Sequence, residues 1–439
     1  MRVLMPSLFL AVAACGAGGD AEAAPVGARP ERPGHGTVVP PGSGLQRAID
    51  AAEAGGVLLL QPGEYTGAVR IDKPLHIHGP ADAVIRGGEG STLRVAGNDV
   101  VLQGFTIAGS GQRFDLMDGG LHVTGEDVVV EGITVREALF GILVERSSRV
   151  LLRGNCVIGT GLSAMGLRGD GIRLWETTDS RVEHNTVRGA RDLVVWYSSR
   201  NHLADNRVTG SRYGTHFMYS HDNVVEDSRY VGCEVGIFVM YSHDILLRRN
   251  LIAEAGGAAG IGLGMKESGN ITVVDNWFLA NTTGIYIDNA PLDPSHRNRY
   301  ERNVMRFSET GISLHSTTRR TDFVDNEFSD NGAIVKVGGQ GDALECSFAD
   351  NYYDTYRGYD LDGDERGDVP FEFRRLSTQL EGRYPDLALL HGAPAMAMVD
   401  LVGEVMPLYT PKRLMLDATP RMQPPAMTWT PAAEVADAR

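Results

Sequence analysis

The chain is poor in cysteine, in basic charge and in helical patterning, and each shortage removes a class of protein. It has only four cysteines in 439 residues, and none form a Cys-x-x-Cys pair, which excludes a thioredoxin-like dithiol and a structural zinc cluster. Cys15 lies in the leader. The other three, Cys156, Cys233 and Cys346, are odd in number and far apart, so a disulfide framework is excluded and all three read as small buried apolar side chains. Lysine and arginine number 41 against 56 acidic residues, a formal charge of −15, so the basic face of a nucleic-acid binder is missing. No glycine-rich loop ends in the lysine of a phosphate cradle. Between the two ends, no segment carries a helical run of usable length.

What is present is a repeat. Residues 213–222, Tyr-Gly-Thr-His-Phe-Met-Tyr-Ser-His-Asp, return as 235–244, Val-Gly-Ile-Phe-Val-Met-Tyr-Ser-His-Asp, at a spacing of 22. A fixed period of this size marks a solenoid. The glycine that opens each copy recurs at Gly141, Gly171, Gly214, Gly236, Gly262, Gly284 and Gly311, with Asp192 in the equivalent place of one coil. A second marker falls between them at Asn155, Asn185, Asn206, Asn250, Asn276, Asn303 and Asn326, with Ser228 in the gap. Each unit holds two or three short strands and cannot bury its apolar face alone, so stacking must build the core. The pattern predicts an all-β chain, a right-handed parallel β-helix with side-chain amides laddered at one turn. Leucine-rich frames and Trp-Asp blade ends are absent, which disfavours the other solenoids and propellers.

Alternation assigns faces. One and three residues after each glycine stand Ile172 and Leu174, Leu193 and Val195, Thr215 and Phe217, Ile237 and Val239, Leu263 and Met265, Ile285 and Ile287, all expected inward. The outward row then carries Trp175, Trp196, His216, Met218, Phe238, Met240, Lys266, Tyr286, Asp288 and His315, a row expected to be exposed and to bind a partner.

The ends differ in kind. Met1-Arg2 and the apolar stretch Val3 to Ala14 read as a signal peptide over 1–15, too short to span a membrane. The small residues before Cys15 give a lipoprotein-like cleavage site with lipidation at Cys15, and cleavage before Ala24 is the alternative. Residues 16–34 read as a flexible linker, 35–345 as the β-helix with a capping helix near Leu45 to Ala52, and 346–439 as an extension. That extension holds an acidic loop from Asp360 to Asp368, a helical stretch near Ala395 to Met406 and a proline-rich tail from Pro407.

Three chemistries can be read from these residues. His216, Met218, His221, Met240 and His243 combine thioethers, which suit Cu(I), with imidazoles, which accept copper in either state. Their plain reading is a contact surface. Asp170, Asp192, Asp288, Asp293 and His296 are candidates for glycoside chemistry, and Asp293-Pro294-Ser295-His296 partly matches the Asp-Pro-His-Asp motif of alginate epimerases. Asp360, Asp362, Asp364 and Asp368 are spaced like calcium ligands, but Glu365 stands where the sharp turn wants glycine and Phe371 where the last carboxylate belongs. Arg191, Arg212 and Lys266 read as solvated or ion-paired.

The blocks Gly169 to Leu174, Tyr213 to Tyr219, Gly236 to Ser242, Gly262 to Lys266 and Gly284 to Asn289 together resemble the NosD family, as does Tyr359 to Asp364 leading into Gly367-Asp368-Val369-Pro370. The likeness spans about residues 40 to 410. It implies a non-catalytic periplasmic accessory protein that docks with an inner-membrane ABC transporter, a copper chaperone and nitrous oxide reductase to support assembly of the copper-sulfide centre. The alternatives are a carbohydrate-active β-helix, a uronan lyase or epimerase, and a purely structural solenoid.

Overall fold

The computed structural model describes residues 33–257, 259–315, 318–338, 341–390, 393–405 and 411–431. The signal peptide, the Cys15 lipidation site, most of the 16–34 linker and the start of the tail at Pro407 lie outside the described residues. Short strands follow one another around a coil and pair in parallel with the strand one coil away, forming sheets of 16, 12 and 13 strands. The result is a parallel β-helix whose single core runs along its axis. The inward residues of the 12-stranded sheet, from Ile172 and Leu174 through Ile285 and Ile287, are fully buried.

The coils are held in register by buried polar ladders. Asn155 donates its side-chain amide to Asn185 (2.9 Å) and Asn185 to Asn206 (3.0 Å). Asn250, Asn276, Asn303, Asn326 and Asn351 continue the chain at 3.0 Å per step. Where the row has Ser228, its hydroxyl accepts the Asn206 backbone N–H (3.1 Å). A second row uses serine: the Ser198 N–H donates to Ser220 (3.1 Å), Ser220 to Ser242 (3.0 Å) and Ser242 to Ser268 (3.2 Å). Turn residues have backbone N–H groups that no strand partner satisfies, and these side chains satisfy them inside the stack.

Both ends of the stack are closed. At the start, Gln46 of helix α1 (Leu45–Ala51) accepts the Arg70 N–H (2.7 Å) and donates to the Arg70 carbonyl (3.0 Å). It thereby imitates a neighbouring strand at the open edge of the 12-stranded sheet. At the far end the coils run past residue 345, the boundary expected from fading periodicity, because Ser347–Ala349 and Tyr352–Tyr353 still pair with the preceding coil. Asp417 then ends the asparagine ladder, accepting from the Asn351 amide (2.9 Å) and the Tyr353 hydroxyl (3.0 Å). Its strand, Met415–Asp417, pairs antiparallel with Phe371–Phe373 and finishes the 16-stranded sheet.

Helices α2 (Leu376–Arg383) and α3 (Pro394–Val405) pack against each other beside the last strand of the 12-stranded sheet. The tail returns along the 13-stranded sheet, where Met427 and Trp429 pack on Trp277 and Leu251, and the Trp277 indole donates to the Trp429 carbonyl (3.2 Å). Cys233 and Cys346 are free and buried, and burial pushes each thiol up to about 12, as expected of inert core residues. Cys156 is disulfide-bonded, which corrects its reading as a plain thiol.

Replacing Asn276 by alanine removes the acceptor for the Asn250 backbone N–H (2.9 Å) and side-chain amide (3.0 Å). The loss of these buried partners is expected to cost about 2–3 kcal/mol. Asn276→Ser should cost less, because the Ser228 hydroxyl already serves at this position two coils earlier in the ladder. Thermal midpoints of the two variants check the order.

Candidate functional site

The outer face of the 12-stranded sheet aligns side chains into columns. One runs Arg173, Val194, His216, Phe238, Gly264, Tyr286 and Ser313, and the next runs Trp175, Trp196, Met218, Met240, Lys266 and Asp288. His315 extends the second column beside Asp288 and lies 3.4 Å from the Tyr286 hydroxyl. The first column is not the exposed stripe that alternation suggests. His216 and Phe238 are only 5% and 8% exposed, and Val194 is fully buried. The reason is lateral cover: the His216 ring sits 4.6 Å from Tyr213, 5.3 Å from Trp196 and 6.4 Å from Phe238. Of the ten expected partner-binding residues, Trp175, Trp196, Met218, Met240, Lys266, Tyr286 and Asp288 stay half-buried and His315 exposed. These eight form the accessible part of the face.

Carboxylates at the head of the face are locked. Asp170 and Asp192 have no exposed surface. Arg191 donates to Asp170 (2.9 Å), Arg173 does so at 3.2 Å, and Arg212 and the Tyr213 N–H donate to Asp192 at 3.1 Å each. Burial raises the Asp170 carboxyl above the usual range against the pull of its arginines. Lys266 pairs with Asp288 at 3.2 Å, so all three basic residues are ion-paired, and Asp293 caps its own turn by accepting the Ser295 N–H (2.8 Å) and hydroxyl (2.7 Å). Glycoside cleavage needs two accessible carboxyl groups facing one bond. Asp170, Asp192, Asp288 and Asp293 are each engaged elsewhere.

The copper candidates separate by tautomer. The Trp196 indole N–H donates to His216 Nδ1 (3.3 Å), which places the proton of the neutral ring on Nε2. Nε2 is buried and meets no hydrogen-bond partner among the described residues, and burial pushes the ring down to about 4. With no free lone pair, His216 is not a metal ligand in this arrangement, which corrects that assignment. His221 fails for the same reason, since its Nδ1 accepts the His243 backbone N–H (3.2 Å). His243 differs: its Nδ1 faces Asp244 at 2.7 Å, so Nδ1 carries the proton and Nε2 keeps its lone pair. A carboxylate behind an imidazole is the usual orienting partner of a metal-binding histidine. Met218 and Met240 are register neighbours at the end of their strands, three residues before His221 and His243 in the chain. The accessible soft donors are therefore Met218, Met240 and His243.

The acidic loop brings carboxylate oxygens of Asp360, Asp362 and Asp364 within 4.8 Å of one another. Asp368 does not join them. It accepts the Leu361 N–H at 2.6 Å and braces the loop, and Phe371 begins a strand.

One surface went unassigned in the sequence. On α3, Met398, Leu401, Val402 and Val405 are 68%, 57%, 46% and 68% exposed. The opposite side is anchored, with Met396 buried and Asp400 accepting the Ser377 N–H (2.8 Å) and hydroxyl (2.7 Å). The i, i+3, i+4, i+7 spacing of the exposed residues is the signal in the sequence.

A family model described as periplasmic copper-binding protein (NosD) matches residues 159–358. A protein of Stutzerimonas stutzeri named probable ABC transporter binding protein NosD is 28% identical over 366 residues, 80% of this chain and 83% of that protein. The chain is NosD-like. A second NosD of the same name, from Pseudomonas aeruginosa, is 26% identical over 395 residues, 85% of this chain and 90% of its own length. Among solved structures, the catalytic unit of a GH87 α-1,3-glucanase from Streptomyces thermodiastaticus superposes with a TM-score of 0.53 at 15% identity, over 77% of this chain and 71% of that one. That likeness is one of fold alone. The NosD-matched segment contains both columns of the outer face and the Met-His corner. No described helix is long and apolar enough to cross a membrane.

Because the His216 ring is held neutral in the fold, its ionisation in the unfolded chain opposes folding at low pH. The stability it contributes is present above the ordinary value of 6.5 and is lost as pH falls towards about 4. Thermal midpoints between these limits should fall more steeply for the parent chain than for His216→Gln.

Proposed function

We propose that this chain is a non-catalytic periplasmic docking subunit of an ABC transporter complex, and that it handles copper for assembly of the copper-sulfide centre of nitrous oxide reductase. The observation that carries the copper reading is the corner where Met218, Met240 and His243 are accessible and His243 is oriented by Asp244. Thioethers favour Cu(I) over harder ions, and a site built of two thioethers and one imidazole on the surface suits an ion in transit more than one locked in a cage. Copper here is cargo, received from a copper chaperone and passed towards the reductase. The non-catalytic reading is supported by the arginine-locked carboxylates Asp170 and Asp192.

Attachment to the transporter falls to α3. Its exposed row at 398, 401, 402 and 405 presents an apolar seam of the kind that packs into a helical groove.

Met218→Ala with Met240→Ala should weaken Cu(I) binding at least about tenfold, measured by competition with a colorimetric chelator, while the thermal midpoint stays within about 2 °C, because both side chains lie outside the core. Leu401→Asp with Val405→Asp should abolish co-elution with the detergent-solubilised transporter and leave Cu(I) binding intact. Retained co-elution would remove α3 from the docking surface.

A further inference from the structure

At the corner that follows the 12-stranded sheet, seven successive coils each take one residue into the left-handed region. The column reads Arg146, Glu176, Tyr197, Tyr219, Tyr241, Glu267 and Asn289, with φ between 47° and 51°. A bulky residue in this conformation costs about 1–2 kcal/mol, and asparagine or glycine would fill it at less strain. Three successive coils nevertheless carry tyrosine. Their rings stack at 5.4 and 5.0 Å with interplanar angles of 12° and 14°, and Tyr197 also meets Trp175 at 5.2 Å. Tyr197 and Tyr219 remain 44% and 43% exposed. These rings add nothing to the core, so the ridge is an aromatic surface built at the expense of backbone strain.

Three residues further along the chain lies a second left-handed column, and it carries charge: Asp127, Arg149, Asp179, Arg200, Asp222, Asp244 and Asn270. Its first four members alternate in sign and pair, Arg149 with Asp127 at 2.7 Å and Arg200 with Asp179 at 2.7 and 2.9 Å. The alternation stops at Asp222 and Asp244, the two coils that carry Tyr219 and Tyr241. There two carboxylates follow in succession with no arginine between them, and Glu267 closes the tyrosine column on the next coil.

We propose that this corner docks a basic, arginine-bearing segment of a partner protein. Guanidinium groups combine the two contacts that the corner offers, stacking on aromatic rings and pairing with carboxylates, whereas an ammonium provides a point charge alone. The chain itself shows the first contact, since the Arg173 guanidinium lies 4.6 Å from the centre of the Trp175 ring and 5.0 Å from that of Trp196, and Arg212 lies 4.5 Å from Tyr213. Tyrosine and arginine are also the residues on which binding energy concentrates at protein interfaces. The inference deepens the docking role proposed above and rests on it.

The test titrates the full chain with nona-arginine and nona-lysine peptides by calorimetry at low salt. The arginine peptide should bind about tenfold more tightly than the lysine peptide. Tyr219→Asn with Tyr241→Asn should erase that preference, as should Asp222→Asn with Glu267→Gln. The asparagine pair also relieves the left-handed strain, as Asn289 does in the same column, so its thermal midpoint should hold or rise. Equal affinity for the two peptides, or a preference that survives the asparagine pair, would overturn the proposal. If the preference fails while a strain lacking the chain still loses its copper centre, only this surface falls. If the preference holds but that strain keeps a normal centre, the docking role in copper maturation falls instead.

Discussion

The structure depends on buried hydrogen bonds between turns of successive coils. Strand pairing alone lets a parallel stack slip, because each strand meets a neighbour much like itself. The asparagine row from Asn155 to Asn351 and the serine row from Ser198 to Ser268 remove that freedom, since a slipped coil would leave buried amides and backbone N–H groups without partners. Asp417 ends the asparagine row, and burial raises its carboxyl above the usual range even as four donors surround it. The C-terminal extension is thus tied to the ladder that organises everything before it.

Fixed register decides what the outer surface can do. Columns of side chains one coil apart become touching neighbours, so Trp196 reaches His216 and sets its tautomer, and His221 lies face to face with His243 at 3.7 Å. The same register places Met218 beside Met240 and leads both into the Tyr-Ser-His-Asp turns. Within that turn each residue has a separate task. The tyrosine takes the left-handed corner, the serine enters the inner ladder, the histidine begins the next strand and the aspartate takes the second corner. The repeated sequence is therefore a structural unit first, and its Met and His side chains lie outside the ladder.

Much of this was legible beforehand because solenoid constraints are local and recurrent. The period, the asparagine ladder and the inward face all follow from residues that must repeat for coils to stack. Alternation gives a direction but not the cover above it, so His216 and Phe238 read as exposed until Tyr213 and Trp196 are seen to close over them. Tautomers depend on partners 20 or 22 positions away, such as Trp196 for His216 and His243 for His221, and spacing cannot show them. The end of the β-helix was placed too early because Asp417, 66 residues beyond Asn351, completes the ladder from outside the repeat. The apolar face of α3 was visible as a spacing, but which side would pack was settled only by Asp400 and Ser377.

The central claim is that this β-helix serves copper maturation and performs no catalysis of its own. Deleting its gene in the host and recording the absorption and copper content of the purified nitrous oxide reductase tests that claim most directly. The account predicts a folded reductase that lacks the copper-sulfide centre. A reductase with its full copper complement and unchanged spectrum would contradict it.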